Sequence, residues 1–348
     1  MTGPHTELAP GYSVPPIIIG LWQLSEGHAR AGAGDRSRVL ADLERFVEAG
    51  LCTFDCADIY TGVEELLGDL RRSLSSGAQI RVHTKFVPDR DALAAIDRGY
   101  VERIIHRSLR RLGVERLDLV QFYWWDADIP GYLDTAGWLC DLQRAGKIRL
   151  LAATNLGVDR LLELAAAGVQ LVSNQVQYSV LDRRPEHALV DYCATAHAHL
   201  LCYGTVAGGF LSNRWLGVPE PGAPWTNRSL EKYRLIIDEF GGWEAFQKLL
   251  QVLASVGERH AATIANVATR WVLGRPGVAA AIVGARNADH LAELTRTFEL
   301  TLDADDCARI DGVLARQPGP GGDVFSLERD FGGPHAAIMR TNLNGEAG

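Results

Sequence analysis

IIIGLWQL (17–24), RSRVLADLERFVEAGL (36–51) and TFDCAD (53–58) decide the fold. A buried apolar run is followed by a segment whose apolar residues recur every three to four positions, and then by a second short apolar run. That order is strand, amphipathic helix, strand, the β-α-β unit of a parallel sheet. The first strand continues as GLWQL. An open, doubly wound dinucleotide fold would carry G-x-G-x-x-G there. Ala49–Gly50 supplies a glycine stop at the end of the helix.

The same unit recurs outward along the chain. VEELLGDLRRSL (63–74) leads to QIRVHTKF (79–86), DALAAIDRGYVERIIHRSLRRLGV (91–114) to LDLVQFYWW (117–125), and YLDTAGWLCDLQRAG (132–146) to IRLLAATNL (148–156). VDRLLELAAAG (158–168) precedes LVSNQVQYSV (171–180), and EHALVDYCATAHA (186–198) precedes LLCYGTVAGG (200–209). The helix WEAFQKLLQVLASVGERHAATIANVATRWVLG (243–274), the strand VAAAIVGA (278–285) and the helix ADHLAELTRTF (288–298) complete the series. Eight such units without a composition break predict an α/β chain closed as a (β/α)8 TIM barrel over residues 13–316, a single domain. A Pro/Gly-rich insertion at 213–242 after strand seven reads as a rim loop or lid. The ends, 1–12 and 317–348, read as loosely structured, with Phe325, Phe331 and Met339 of the tail expected over the barrel mouth.

Composition narrows the function. With 47% hydrophobic and 22% charged residues, the 348-residue chain is an ordinary globular protein rather than a disordered one. The net charge of −8 disfavours nucleic acid, which selects a basic stripe. No apolar run approaches the ~18 residues of a spanning helix, and MTGPHTELAPGYSVPP lacks the basic head and apolar core of a secretory leader. The six cysteines form no C-x-x-C and lack zinc-ligand spacing, so they read as reduced thiols of a cytoplasmic protein without a metal site. Only four of the 35 basic residues are lysines, a bias of GC-rich bacterial coding sequences that draws attention to Lys85.

Chemistry in such a barrel sits at the C-terminal strand ends. Asp55 and Tyr60 follow strand two and Lys85 ends strand three. A phenol, with an ordinary pKa of about 10, is a poor acid at neutral pH. A neighbouring ammonium favours its ionised form, and a carboxylate keeps that ammonium charged and aimed. Taken singly, Asp55 is an ordinary strand-end cap, Tyr60 a rim aromatic and Lys85 a snorkelling lysine. At consecutive strand ends they predict a general acid for a carbonyl becoming an alkoxide.

These residues carry a resemblance. FDCADIYTGVEELLG (54–68) is similar to the aldo-keto reductase signature, and HTKF (83–86), RLGVERLDLVQ (111–121), GKIRLLAATNL (146–156), SNQVQYSVLDR (173–183), YGTVAGGFLS (203–212) and VGARNADHLAEL (283–294) follow in order. The resemblance implies a nicotinamide dinucleotide bound in an extended pose without a Rossmann loop. It assigns Asp55, Tyr60 and Lys85 to three of four catalytic positions. Thr154, Asn155 and Gln175 would bond the nicotinamide carboxamide, and Tyr203 would stack on its ring. The fourth catalytic position departs: Tyr123 stands where the family usually has histidine. A phenol still donates a hydrogen bond, but it lacks titration near pH 6.5. Relatives that vary there include double-bond reductases and weakly active channel-associated subunits.

The glycine-rich turn offers Gly208, Gly209, Leu211 and Ser212 to a pyrophosphate. At the eighth strand end, Gly284, Arg286, Asn287 and His290 read as a second phosphate site, with Asn287 capping the following helix and Arg286 gripping the 2′-phosphate of NADP in preference to NAD. Trp22, Trp124, Trp125 and Tyr178, with Tyr60 and Tyr123, are expected to line an aromatic substrate cavity for a bulky, weakly charged carbonyl compound. The leading expectation is NADPH-dependent reduction of an aldehyde or ketone, or the alcohol oxidation in reverse. Reduction of a conjugated C=C bond and a nicotinamide-binding sensor with little turnover are the alternatives.

Overall fold

The computed structural model describes residues 5–25, 35–74, 79–186, 188–222, 224–225, 227–317 and 319–344. Strands β1 (Thr6–Ala9) and β2 (Tyr12–Val14) form an antiparallel hairpin. Eight strands then build the barrel: β3 (Ile17–Gly20), β4 (Thr53–Asp55), β5 (Arg81–Phe86), β6 (Leu117–Phe122), β7 (Ile148–Thr154), β8 (Ser173–Gln177), β9 (His199–Tyr203) and β10 (Val278–Gly284). Neighbours pair in sequence order, all parallel, and β10 closes on β3. The fold is a TIM barrel.

Alternation along the strands separates two cores. Ile17, Ile19, Phe54, Val120 and Phe122 join helix residues such as Leu67, Leu70 and Ile105 in the large cluster between strands and helices. Ile18, Leu119, Ala152, Leu201 and Ala280 instead form the barrel floor with Leu8, Tyr12 and Val14 of the hairpin. The hairpin of residues 6–14, of which 6–12 were expected to be loose, is therefore a plug. Tyr12 is fully buried, its hydroxyl lies 3.1 Å from His83 Nε2, and the guanidinium groups of Arg81 and Arg149 cover its ring at 5.1 and 4.8 Å. The short strands and the Pro10–Gly11 turn hid this hairpin from a periodicity reading.

Going up β6 in steps of two, Leu119 lies in the floor, Gln121 bonds Asp55, and Tyr123 lines the upper cavity. The barrel interior thus grades from apolar to polar towards the mouth.

Three element boundaries differ from expectation. The predicted helix 243–274 is two helices, Gly242–Arg259 and Ile264–Leu273, because Ala261 adopts φ +48° and Thr263 starts a new helix with a capping box to Asn266. The insertion at 213–242 contains a 13-residue helix, Arg228–Phe240, capped by Asn227. The helix expected at 288–298 spans only Leu291–Arg296. After the last long helix (Ala304–Leu314), the tail carries two four-residue helices, Ser326–Arg329 and Pro334–Ala337. Among the described residues no helix is long and apolar enough to cross a membrane.

Candidate active site

The mouth is built around a buried ion pair. Lys85 Nζ lies 2.7 Å from Asp55 Oδ2 and donates a second bond to the Cys56 carbonyl at 2.7 Å. Asp55 Oδ1 accepts from Gln121 Nε2 at 2.9 Å and from Gln175 Nε2 at 2.6 Å, and Gln175 also donates to Gln121 Oε1. Neutral amides on one oxygen and an ammonium on the other satisfy the carboxylate without cancelling it. Burial alone would neutralise Lys85, but the adjacent carboxylate outweighs it and holds the ammonium above its ordinary pKa. Gln121 escaped the sequence reading, although it shares the inward parity of Tyr123.

Tyr60 lies over this pair. The Lys85 ammonium is 5.0 Å from its ring centroid, and the ring packs on Trp22 at 4.8 Å. The Lys85 ammonium does favour the ionised phenol, through its charge and a hydrogen bond, but burial outweighs it. Burial pushes the phenol up to about 12, and the ammonium only opposes that rise. Tyr60 is consequently a held proton rather than a readily ionised one.

Tyr123 is buried, and among the described residues its hydroxyl has no hydrogen-bond partner at bonding distance, Arg329 being the cation beside it. Trp125 and Phe325 meet its ring edge-on, at centroid distances of 4.9 and 6.0 Å. Burial raises this phenol's pKa as well, with Arg329 opposing. An orphaned buried hydroxyl costs about 1–3 kcal/mol unless a ligand completes it. Tyr123 therefore presents an open donor to the cavity.

Asp55, Tyr60, Lys85 and Tyr123 line one cavity of about 610 Å3, a volume suited to small-molecule binding. Thr154, Asn155, Gln175, Tyr203, Gly208, Gly209, Leu211, Ser212, Gly284, Arg286, Asn287 and His290 line the same cavity, as do Trp22 and Trp125. Asn155 adopts φ +55°, a left-handed conformation that asparagine tolerates, and its Oδ1 accepts the Tyr203 hydroxyl at 2.9 Å. Two of the expected carboxamide partners have bonds of their own. The Thr154 hydroxyl donates to the Gln175 carbonyl, and the Gln175 amide is directed at Asp55.

The remaining expectations need correction. Trp124 faces a separate cavity of about 390 Å3, its Nε1 donating to the Ile129 carbonyl. Tyr178 lies behind the barrel wall, donating to Glu186 and packing edge-on to Trp271. Both sit one residue out of step with an inward-facing neighbour, and strand alternation turns them away. Asn287 is not a helix cap. It closes a local turn with Asp289, four residues before the helix begins at Leu291. In the glycine turn, the amides of Gly209 and Leu211 donate to the Val206 carbonyl and that of Ser212 to Phe210. Arg286, exposed at the cavity rim, makes no ion pair among the described residues, and Lys232, from the inserted helix, pairs with Glu328 at 3.3 Å.

The tail supplies part of the wall: Phe325, Ile338, Met339, Arg340 and Leu343 all line the main cavity. Phe331 is exposed and covers the Arg90 guanidinium instead. Leu343 and Asn344 amides converge on Asp89, clipping the tail to the loop after β5.

The profile of the aldo/keto reductase family matches residues 16–315. The chain is 24% identical to aldo-keto reductase YhdN of Bacillus subtilis over 319 residues, 87% of this chain and 91% of that protein. It is 24% identical to the NADH-specific methylglyoxal reductase of Escherichia coli over 310 residues, 82% and 91% of the two chains. The aldo/keto reductase of Klebsiella pneumoniae, solved in complex with NADP and acetate, superposes with a TM-score of 0.67 at 24% identity, covering 90% of this chain and 95% of that one. Fold, cavity and family match agree: the chain belongs to the aldo/keto reductase family and is an NAD(P)H-dependent oxidoreductase acting on carbonyl compounds.

Proposed function

We propose that the protein uses NADPH to reduce a bulky, weakly charged aldehyde or ketone to the alcohol, with Tyr60 as proton donor. The observation that carries this reading is the convergence of two phenols, Tyr60 and the unbonded Tyr123, on one cavity above the Lys85–Asp55 pair.

The residues present fit a nicotinamide dinucleotide. Asn155 and Tyr203 offer a polar edge and an aromatic face near the acid. Gly209, at φ +101°, leaves open space where a side chain would otherwise stand. Arg286 offers a 2′-phosphate a guanidinium with no ion-pair partner among the described residues, which favours NADP over NAD. When bound, the cofactor supplies the hydride to the carbonyl carbon. The protein's part lies at the carbonyl oxygen. Tyr123 donates a hydrogen bond to it, polarising the carbonyl, and Tyr60 transfers its phenolic proton as negative charge develops there. The adjacent Lys85 ammonium stabilises the phenolate left behind, and Asp55, held by Gln121 and Gln175, keeps Lys85 in place. The rings of Trp22, Trp125 and Phe325 exclude water and select an apolar substrate.

Reduction of a conjugated C=C bond is the second reading, favoured by the phenol at position 123 in place of an imidazole. The test follows NADPH absorbance with aromatic aldehydes, aryl ketones and conjugated enones, with products identified by mass and NMR. Alcohol formation is expected. Saturated ketones from enones, with no alcohol from simple carbonyls, would select the second reading. NADPH binding by fluorescence without turnover of any substrate would make the protein a sensor.

A further inference from the structure

Arg329 lies outside the barrel, in a four-residue helix of the tail, yet its guanidinium is bonded into the site. Nε donates to the Trp125 carbonyl at 3.1 Å, Nη2 to the Trp124 carbonyl at 3.0 Å and Nη1 to the Asn155 carbonyl at 2.9 Å. One planar group thus ties the segment after β6 to the segment after β7, and these segments carry Tyr123 and the nicotinamide-side Asn155. The guanidinium carbon is also 5.5 Å from the Tyr123 ring centroid and 5.4 Å from that of Phe325. The preceding residue, Glu328, is gripped from the opposite side of the mouth by Arg184 and Lys232, each at 3.3 Å. Residues 325–329 are therefore anchored through the adjacent Glu328 and Arg329, with Phe325, at φ +61°, packed edge-on to Tyr123.

We propose that Arg329 is a positioning residue for carbonyl reduction, a tail-borne cation that fixes the Tyr123 hydroxyl as the second hydrogen-bond donor to the substrate oxygen. Three observations converge on it. The Tyr123 hydroxyl is buried and among the described residues donates to no acceptor, so its proton is free for a molecule bound in the cavity. Its ring is confined by Trp125, Phe325 and Arg329, which fixes the direction of the hydroxyl. The cation beside the ring favours negative charge on the phenol oxygen and so strengthens its hydrogen bond to a developing alkoxide. Lysine cannot replace this group, because a single ammonium does not reach three carbonyls in one plane.

The inference rests on the carbonyl-reduction reading, and the experiment separates the two. Wild type, Arg329→Ala, Arg329→Lys, Tyr123→Phe and the Arg329→Ala/Tyr123→Phe double variant are compared in full-length protein for kcat and KM with NADPH and an aromatic aldehyde. NADPH dissociation constants come from fluorescence. Arg329→Ala is expected to lower kcat ~10–100-fold with NADPH affinity within about twofold of wild type. Arg329→Lys should stay within about threefold of the alanine variant. Sub-denaturing guanidinium chloride should restore part of the lost rate to Arg329→Ala and none to the double variant. The double variant should be no slower than Tyr123→Phe beyond about twofold, since the two residues act as one unit. Fully additive losses, an unchanged kcat, or loss of NADPH binding in step with kcat each overturn the proposal. If Arg329→Ala does not fold, Arg329→Lys replaces it in the cycle under the same criteria. A wild type that turns over no carbonyl removes the underlying reading and this inference with it; a wild type that turns over, combined with additive losses, removes only the role of Arg329.

Discussion

Lys85 Nζ and Asp55 Oδ2 are 2.7 Å apart, with both side chains only 6% exposed. Such a pair adds little net stability over an apolar alternative, but breaking it leaves a buried charge uncompensated, at a cost of about 3–5 kcal/mol. The two halves of this pair are not equivalent. Without Lys85, Asp55 keeps two amide donors on Oδ1; without a carboxylate at 55, Lys85 is left among the described residues with neutral partners, the Cys56 carbonyl and the Tyr60 phenol. Asp55→Asn should therefore destabilise more than Lys85→Met, and both should abolish most turnover. Urea unfolding of the two variants measures the order. The reverse order would mean that Lys85 has another anchor.

The two phenols predict an unusual pH profile. Tyr60 is pushed up to about 12 by burial, so the proton it delivers is present through the whole neutral range. Tyr123 is raised as well and brings no imidazole titration to the site. kcat for reduction should be flat between about pH 5 and 8 and fall only as alkaline pH begins to ionise a phenol. Tyr123→His should introduce a decline in rate as pH rises through about 6–7, where the protonated donor is lost. A break in that window in the wild type would assign proton delivery to another group.

His83, beneath the site, gives a stability prediction. Burial pushes its imidazole down to about 4, against the pull of Asp55, and among the described residues its Nδ1 has no partner. Between about 4 and the ordinary value near 6.5 the unfolded chain binds the extra proton and the folded one does not. Stability is fully present above about pH 6.5 and is lost as pH falls towards 4, by an amount on the order of 3 kcal/mol. In His83→Gln that share of the pH dependence should vanish. Thermal melts of both proteins at pH 7 and 4.5 measure it, and equal shifts would show that His83 takes up no proton on unfolding.

Much of this was legible in the chain. The eight strands declare themselves because each is a buried run flanked by an amphipathic helix, and Asp55, Tyr60, Lys85 and Tyr123 follow from asking which polar groups stand at strand ends. Side-chain parity was the weak point. Trp124 and Tyr178 are as aromatic as their neighbours, and only the alternation of the backbone turns them out of the cavity. The same alternation points Gln121 inward, a signal present in LDLVQFY and not used. Arg329 carried no usable signal: a four-residue helix in a Gly/Pro-rich tail has no periodicity, and three of its partners are main-chain carbonyls 174 to 205 residues away.

Cofactor choice is the property most open to a single substitution. Arg286 lines the cavity, is exposed, and has no ion-pair partner among the described residues. Removing it therefore breaks no internal bond, and any effect reports on the ligand. NADP differs from NAD by one 2′-phosphate, which carries nearly two negative charges at neutral pH, and a planar guanidinium pairs with it through two parallel N–H donors. Arg286→Ala should weaken NADPH binding by ~10-fold or more while leaving NADH within about twofold, because a charge-assisted hydrogen bond at a partly exposed site contributes about 1.5–3 kcal/mol. Arg286→Lys should fall between the two, keeping the charge and losing the fork. The proposed preference for NADPH over NADH should also shrink as salt rises, since an exposed pair is screened. Fluorescence titrations of both cofactors against the three proteins decide the matter. Equal losses for NADPH and NADH would move Arg286 from the 2′-phosphate to a part of the dinucleotide that both share, and an unchanged ratio would leave the 2′-phosphate to another cation at the mouth, where Arg228 and Arg340 also line the cavity.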